Sequence, residues 1–144
     1  MRARSGFTLL EILVVVMIIT ILATIVGVNV VREPGRARAA AARAQIGATF
    51  STALSLYRMD NGFYPTQEQG LDALCRKPDT APVPPRYREG GYLEKRKLPL
   101  DPWGRAYVYL VPGRDDAPYE ILSYGSDGEP GGEDEAADIS GADL

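Results

Sequence analysis

The polarity of the chain changes character twice. From Phe7 to Val31 it is apolar, broken only by Thr8, Glu11, Thr20, Thr24, Gly27 and Asn29, and Ile12 to Val28 carries no charge. As a helix, residues 7–31 reach ~37 Å, enough to cross a hydrocarbon core of ~30 Å. From Ala37 to Met59 the chain is rich in Ala, Arg, Gln and Leu, all good helix formers. Ile46, Phe50, Ala53, Leu54 and Tyr57 fall at helical spacing there and make one apolar face. That face needs a cover, and the C-terminal half is available. Asp60-Asn61-Gly62 predicts the stop. Pro34-Gly35 is expected to interrupt or kink the helix between the two stretches, or Pro34 to open a second segment.

Beyond residue 62 the pattern turns to short elements. Thr66-Gln67-Glu68-Gln69 reads as a capping box, opening a short helix to about Cys75. Residues 77–91 hold four prolines and two glycines and predict a surface loop. Asp101-Pro102-Trp103-Gly104 predicts a turn with an aromatic anchor. Residues 105–111 and 119–124 predict two strands around a turn at Gly113 to Pro118. A lone hairpin is marginal, so it must pack on the long helix. The expected class is α+β: a long N-terminal helix on a small antiparallel sheet.

Composition narrows the function. A chain of 144 residues favours one domain. Net charge is −3 and histidine is absent. No basic stripe alternates with aromatics, so nucleic acid is an unsuitable partner. Basic residues do gather at Arg76, Lys77, Arg86, Arg88, Lys95, Arg96 and Lys97, as a solvated face or as a contact for an acidic surface of another subunit. The one cysteine, Cys75, excludes an intrachain disulfide and reads as a small apolar residue, the alternative being a reactive or intermolecular thiol. Without His, a nucleophile elbow or a phosphate loop, a membrane-tethered enzyme finds no support. The only carboxylate cluster sits on a glycine-rich loop, a poor frame for catalytic geometry.

The N-terminus admits two readings. A basic start and an apolar middle describe a secretory signal, with a small-residue cleavage site near Ala23 or Gly27, but the apolar run continues past it. Arg2 and Arg4 favour a cytoplasmic N-terminus, although Arg32, Arg36 and Arg38 on the other flank leave the charge rule ambiguous. Glu11 is the anomaly, because an ionisable group at membrane depth is a functional candidate unless it snorkels to the headgroups. Gly6-Phe7-Thr8-Leu9-Leu10-Glu11, after the leader Met1 to Ser5, resembles the class III signal of type IV pilins and pseudopilins. The resemblance implies cleavage between Gly6 and Phe7 by prepilin peptidase and methylation of the new Phe7 amine. It implies a leader at 1–6, a transmembrane and filament-core helix at 7–31, and a periplasmic domain at 32–144. Glu11 of one subunit can then pair with the Phe7 amine of its neighbour. Desolvation offsets much of that attraction, so the pair sets register.

Tyr57-Arg-Met-Asp-Asn-Gly62, Tyr64-Pro-Thr66, Glu68-Gln-Gly-Leu71, Gly90-Gly-Tyr-Leu93, Asp101-Pro-Trp-Gly104 and Asp127-Gly128 resemble the major pseudopilin of type II secretion systems. The family's usual proline near position 28 stands here at Pro34. The loop from Tyr124 to Ile139 combines glycines with carboxylates, as an acidic tail or as an oxygen site for a hard cation. The resemblance implies a calcium site, with Asp127 and Asp134 as side-chain ligands and carbonyls of Tyr124 and Glu129 as contributors. Asp138 is a further candidate. The implied role is a structural subunit of the type II secretion pseudopilus, a filament that drives folded proteins across the outer membrane. The alternative is a type IV pilus or minor pseudopilin subunit, but type IV pilins usually carry a C-terminal disulfide. The implied partners are other copies of the chain, prepilin peptidase, the inner-membrane assembly platform and minor pseudopilins. The implied location is the inner membrane, with the globular part in the periplasm.

Overall fold

The computed structural model describes residues 7–144, leaving out the side chains of residues 25–33. The chain divides into two units, Met1–Arg36 and Ala37–Leu144. In order come helix α1 (Leu9–Ala44), a π-helical turn (Gln45–Phe50), helix α2 (Ser51–Asn61) and a 3-10 turn (Leu71–Leu74). Strands β1 (Val108–Leu110), β2 (Glu120–Ser123) and β3 (Ile139–Ser140) follow, with short 3-10 turns at Arg114–Asp116 and Gly141–Asp143. The fold is α+β.

Thr8 starts α1: its Oγ1 accepts from Glu11 N–H at 3.2 Å, satisfying one of the free donors of the first turn. From Phe7 to Thr24 every side chain is exposed. Thr20 and Thr24 donate their hydroxyls to the carbonyls of Val16 and Thr20, both at 2.8 Å, so even the polar side chains of this stretch are satisfied within the helix. Among the described residues no helix is long and apolar enough to cross a membrane. The stretch of α1 before the undescribed side chains, Leu9 to Thr24, rises only ~24 Å.

The expected interruption at Pro34-Gly35 is not there: α1 runs through Pro34. Proline forfeits one ladder bond and crowds the preceding turn, but helix-forming sequence follows it. The departure comes later instead, at the π turn. Ala42, Ile46, Phe50 and Leu54 are all buried and are spaced four apart. Steps of four overshoot the 3.6-residue period by ~40° each. The wider π turn absorbs that drift and keeps all four on the core side. Ser51 Oγ donates to Ile46 O at 3.0 Å, and Tyr107 Oη donates to Gln45 Oε1 at 2.5 Å. The helical run ends as expected: Gly62 at φ 87° returns its N–H to Arg58 O at 2.7 Å, a left-handed cap.

The capping box is reciprocal. Gln69 N–H donates to Thr66 Oγ1 and Thr66 N–H to Gln69 Oε1, both at 3.2 Å. The short helix to Cys75 does not form, because Gly70 at φ 59°, ψ −166° breaks it, leaving one turn and the 3-10 turn. Both expected strands exist but are shorter. Arg105 is taken by the Asp101 turn, where Asp101 N–H donates to Arg105 O at 2.8 Å. The sheet is antiparallel in the order β1-β2-β3, with Tyr109 opposite Ile121 and Ser123 opposite Ile139. β3 was not foreseen. Gln67 covers the free edge of β1: its amide donates to Tyr109 O and accepts from Val111 N–H, both at 2.7 Å, which blocks further strand pairing.

The core is formed by Ile46, Phe50, Leu54 and Tyr57 from the helical side with Leu74, Tyr92, Tyr109 and Ile121 from the rest. Phe50 meets Tyr107 edge-on at 5.0 Å. Cys75 is buried in this cluster without a disulfide. Its thiol is pushed up by burial and then by the nearby Asp72 charge.

Candidate functional site

The residues singled out by the sequence fall in two places. At the N-terminus Gly6 lies outside the described residues. Phe7 is 78% exposed and stands just before the Thr8 cap, and Glu11 sits in the first turn of α1, where the helix dipole favours a carboxylate. Large apolar side chains surround them without cover: Leu9, Leu10, Leu13 and Ile19 are each more than half exposed. A helix apolar on every side is built to be buried by lipid or by other helices.

The second place is the loop between β2 and β3. Its first turn is closed by Gly128 N–H donating to Tyr124 O at 3.0 Å. Asp127 Oδ1 accepts from Glu129 N–H at 3.1 Å, and Asp138 Oδ2 accepts from Gly131 N–H at 2.9 Å. Ser126 N–H reaches across to Glu135 O at 2.9 Å. Asp134 holds a left-handed conformation at φ 55°, unusual for a residue with a side chain. The carboxylate-bearing residues Asp127, Glu129, Asp134 and Asp138 are all exposed. Among the described residues no three His, Cys, Asp or Glu side chains converge as a metal-binding group. The loop therefore offers oxygen donors only, as single carboxylates set among backbone carbonyls.

Two features that frame the loop escaped the sequence reading. Glu120 is buried, and burial alone would raise its pKa. Hydrogen bonds from Ser140 Oγ at 2.5 Å, Arg114 Nε at 2.6 Å and Arg114 N–H at 3.1 Å outweigh that and hold the carboxyl below its ordinary value. This knot fastens β3, where the loop ends. Asp101 is also buried and accepts from Trp103 N–H at 3.0 Å, Arg105 N–H at 2.8 Å and Ser123 Oγ at 2.7 Å. It fastens the end of β2, where the loop begins. The only prior signal was the Asp-Pro-Trp-Gly turn itself, because a buried Glu at the start of a strand looks like an exposed one in sequence.

The basic residues divide. Arg88 pairs with Asp60 at 2.5 Å and Arg76 with Asp72 at 3.6 Å. The Arg88 hydrogen bond holds the Asp60 carboxyl below its usual range. Lys77, Arg86, Lys95, Arg96 and Lys97 are exposed.

Comparison with known proteins now decides the family. The pattern "Type II secretion system (T2SS), protein G" matches residues 29–142, and "Prokaryotic N-terminal methylation motif" matches residues 1–27. The chain belongs to the type II secretion protein G family. It is 46% identical over 142 residues to type II secretion system core protein G of Pseudomonas aeruginosa, covering 99% of this chain and 97% of that protein. Against the Vibrio cholerae protein of the same name it is 48% identical over 139 residues, covering 96% and 92%. The crystal structure of the major pseudopilin from the type 2 secretion system of enterohaemorrhagic Escherichia coli superposes with a TM-score of 0.64 at 43% identity. That match covers 76% of this chain and 90% of the pseudopilin.

Proposed function

We propose that the chain is a structural subunit of the type II secretion pseudopilus, the filament that moves folded proteins across the outer membrane. The observation that carries this is 46% identity running over 99% of the chain to a type II secretion core protein G. The role is structural rather than catalytic. Residues 1–6 are a leader removed by prepilin peptidase, and the Phe7 amine so freed is methylated. The uncovered apolar helix first anchors the subunit in the inner membrane and then joins the filament core, with the C-terminal unit in the periplasm. Apolar helices gain little from one another in lipid, so a specific polar contact must set their register. Glu11 against the Phe7 amine of a neighbouring copy supplies it. The assembly platform, minor pseudopilins and further copies of the chain are the partners.

The acidic loop is proposed to bind calcium. Its donor set fits a hard cation, which takes 6–8 oxygens from carboxylates and carbonyls, and Gly125, Gly128, Gly131 and Gly132 all have positive φ, letting the backbone turn its carbonyls. Asp127 and Asp134 would supply carboxylates, Tyr124 and Glu129 carbonyls, and Asp138 a further oxygen. A bound cation would join the two ends of a loop of like charges and add folding stability by binding only the native form.

Intact mass spectrometry of the chain from its native membranes tests the processing. The expected species lacks Met1 to Gly6 and carries one added methyl group on Phe7. A full-length species, or one cut near Ala23 or Gly27, rejects it. Calorimetric titration of the detergent-solubilised chain tests the cation: uptake abolished in Asp127→Ala and Asp134→Ala is expected, and no uptake by the unaltered chain rejects the site.

A further inference from the structure

Arg105 points its guanidinium into the first turn of the acidic loop. Nη1 donates to Gly125 O at 2.8 Å and Nη2 to Ser126 O at 3.0 Å. The fork thus spans two successive carbonyls, a geometry that an ammonium cannot copy. Gly128 lies flat against the same side chain. It has φ +77°, and a Cβ there would come within 2.5 Å of Arg105 Nε. The arginine is itself held from behind, because its N–H and C=O are both bound to Asp101. Asp101 also accepts from Ser123 at the end of β2. One buried carboxylate therefore ties together the turn that carries Arg105 and the strand that leads into the loop.

We propose that Arg105 is the positioning residue of the cation loop: it fixes the turn from Tyr124 to Gly128 before any metal arrives. The proposal rests on the calcium reading of the loop. The remainder, from Glu129 to Asp138, has no guanidinium clamp: two hydrogen bonds, Ser126 N–H to Glu135 O and Glu129 N–H to Asp127 Oδ1, tie it to the fixed turn, and it is the part the cation must order. Fixing two of the five donors, Tyr124 and Asp127, in advance lowers the ordering cost of binding. The guanidinium's charge works in the opposite direction by repelling the metal. Two of its N–H groups are occupied by carbonyls, and its exposure to solvent screens the charge, so positioning outweighs repulsion. The Asp-Pro-Trp-Gly turn thereby acquires a role: it aims the residue that follows it.

The test uses the full-length chain in detergent micelles, unaltered and as Arg105→Ala and Arg105→Lys. Hydrogen exchange of amides 124–129 in calcium-free buffer is expected to quicken about tenfold in Arg105→Ala, and calcium affinity to fall about tenfold, as befits loss of two charge-assisted hydrogen bonds at a partly exposed site. Arg105→Lys should recover only part of either, because the charge returns without the fork. Unfolding temperature without calcium should change little, which separates positioning from a general structural role. Unchanged exchange in Arg105→Ala overturns the proposal, as does unchanged or tighter calcium binding. Full rescue by lysine also overturns it, because charge alone would then suffice. If the unaltered chain takes up no calcium, the cation reading fails, and the exchange measurement alone judges whether Arg105 holds the turn.

Discussion

Replacing Glu120 by glutamine should loosen the C-terminal strand more than any other single-atom change in the sheet. The side chain is fully buried and receives three hydrogen bonds, from Ser140 Oγ, Arg114 Nε and Arg114 N–H. Glutamine removes the charge and turns an NH2 group toward donors that need an acceptor. Breaking one partner of a buried pair costs about 3–5 kcal/mol. Arg114 is 54% exposed, which moves the expected loss to about 2–3 kcal/mol. For a domain of this size that is about 10–20 °C in Tm. The acid side provides a second reading. The Glu120 pKa is depressed in the fold, so over the interval between the native and unfolded values the unfolded chain holds a proton that the native chain does not. Stability then rises with pH. Its contribution is fully present above the ordinary value of 4.5 and is lost as pH falls through the lower native value. Glu120→Gln should remove that part of the acid slope. Thermal unfolding from pH 2 to 7, followed by circular dichroism, measures both. A Tm within about 2 °C of the unaltered chain at pH 7, or an identical acid slope, refutes the reasoning.

Further outcomes follow from the packing. Phe50→Ala empties a fully buried site against Tyr107 and should cost about 3–5 kcal/mol, read by chemical denaturation. Gln67→Ala uncovers the edge of β1 and should cost about 1–2 kcal/mol, with light scattering showing faster aggregation on heating; equal scattering would mean the edge is protected otherwise. Chelation of calcium should lower the Tm of the unaltered chain and leave an Asp127→Ala, Asp134→Ala double variant unmoved, checked by paired melts.

Much of this architecture was legible because the informative residues act locally. The spacing of Ile46, Phe50, Leu54 and Tyr57 marked the buried helix face, Gly62 its end, and Thr66 with Gln69 a capping box. The π turn was less visible, although the four-residue steps from Ala42 to Leu54 carried its signal. Pro34 does not interrupt the helix, because proline cost is local while helix continuation draws on both flanks. β3 is too short to show alternation. Its place depends on Ser140 meeting Glu120 across the sheet, a contact between distant residues that no pattern announces. The same holds for the site. Glu11 and Asp127 stand in recognisable motifs, whereas Arg105 follows one and gains its meaning only from where the Asp101 turn sends it.

The central claim is tested most directly by deleting the gene in its native host and measuring folded enzymes in the culture medium against those held in the periplasm. The account predicts that secretion collapses and the periplasmic pool rises, that the unaltered chain restores export, and that Glu11→Ala does not. Undiminished secretion in the deletion strain, or full restoration by Glu11→Ala, would contradict it.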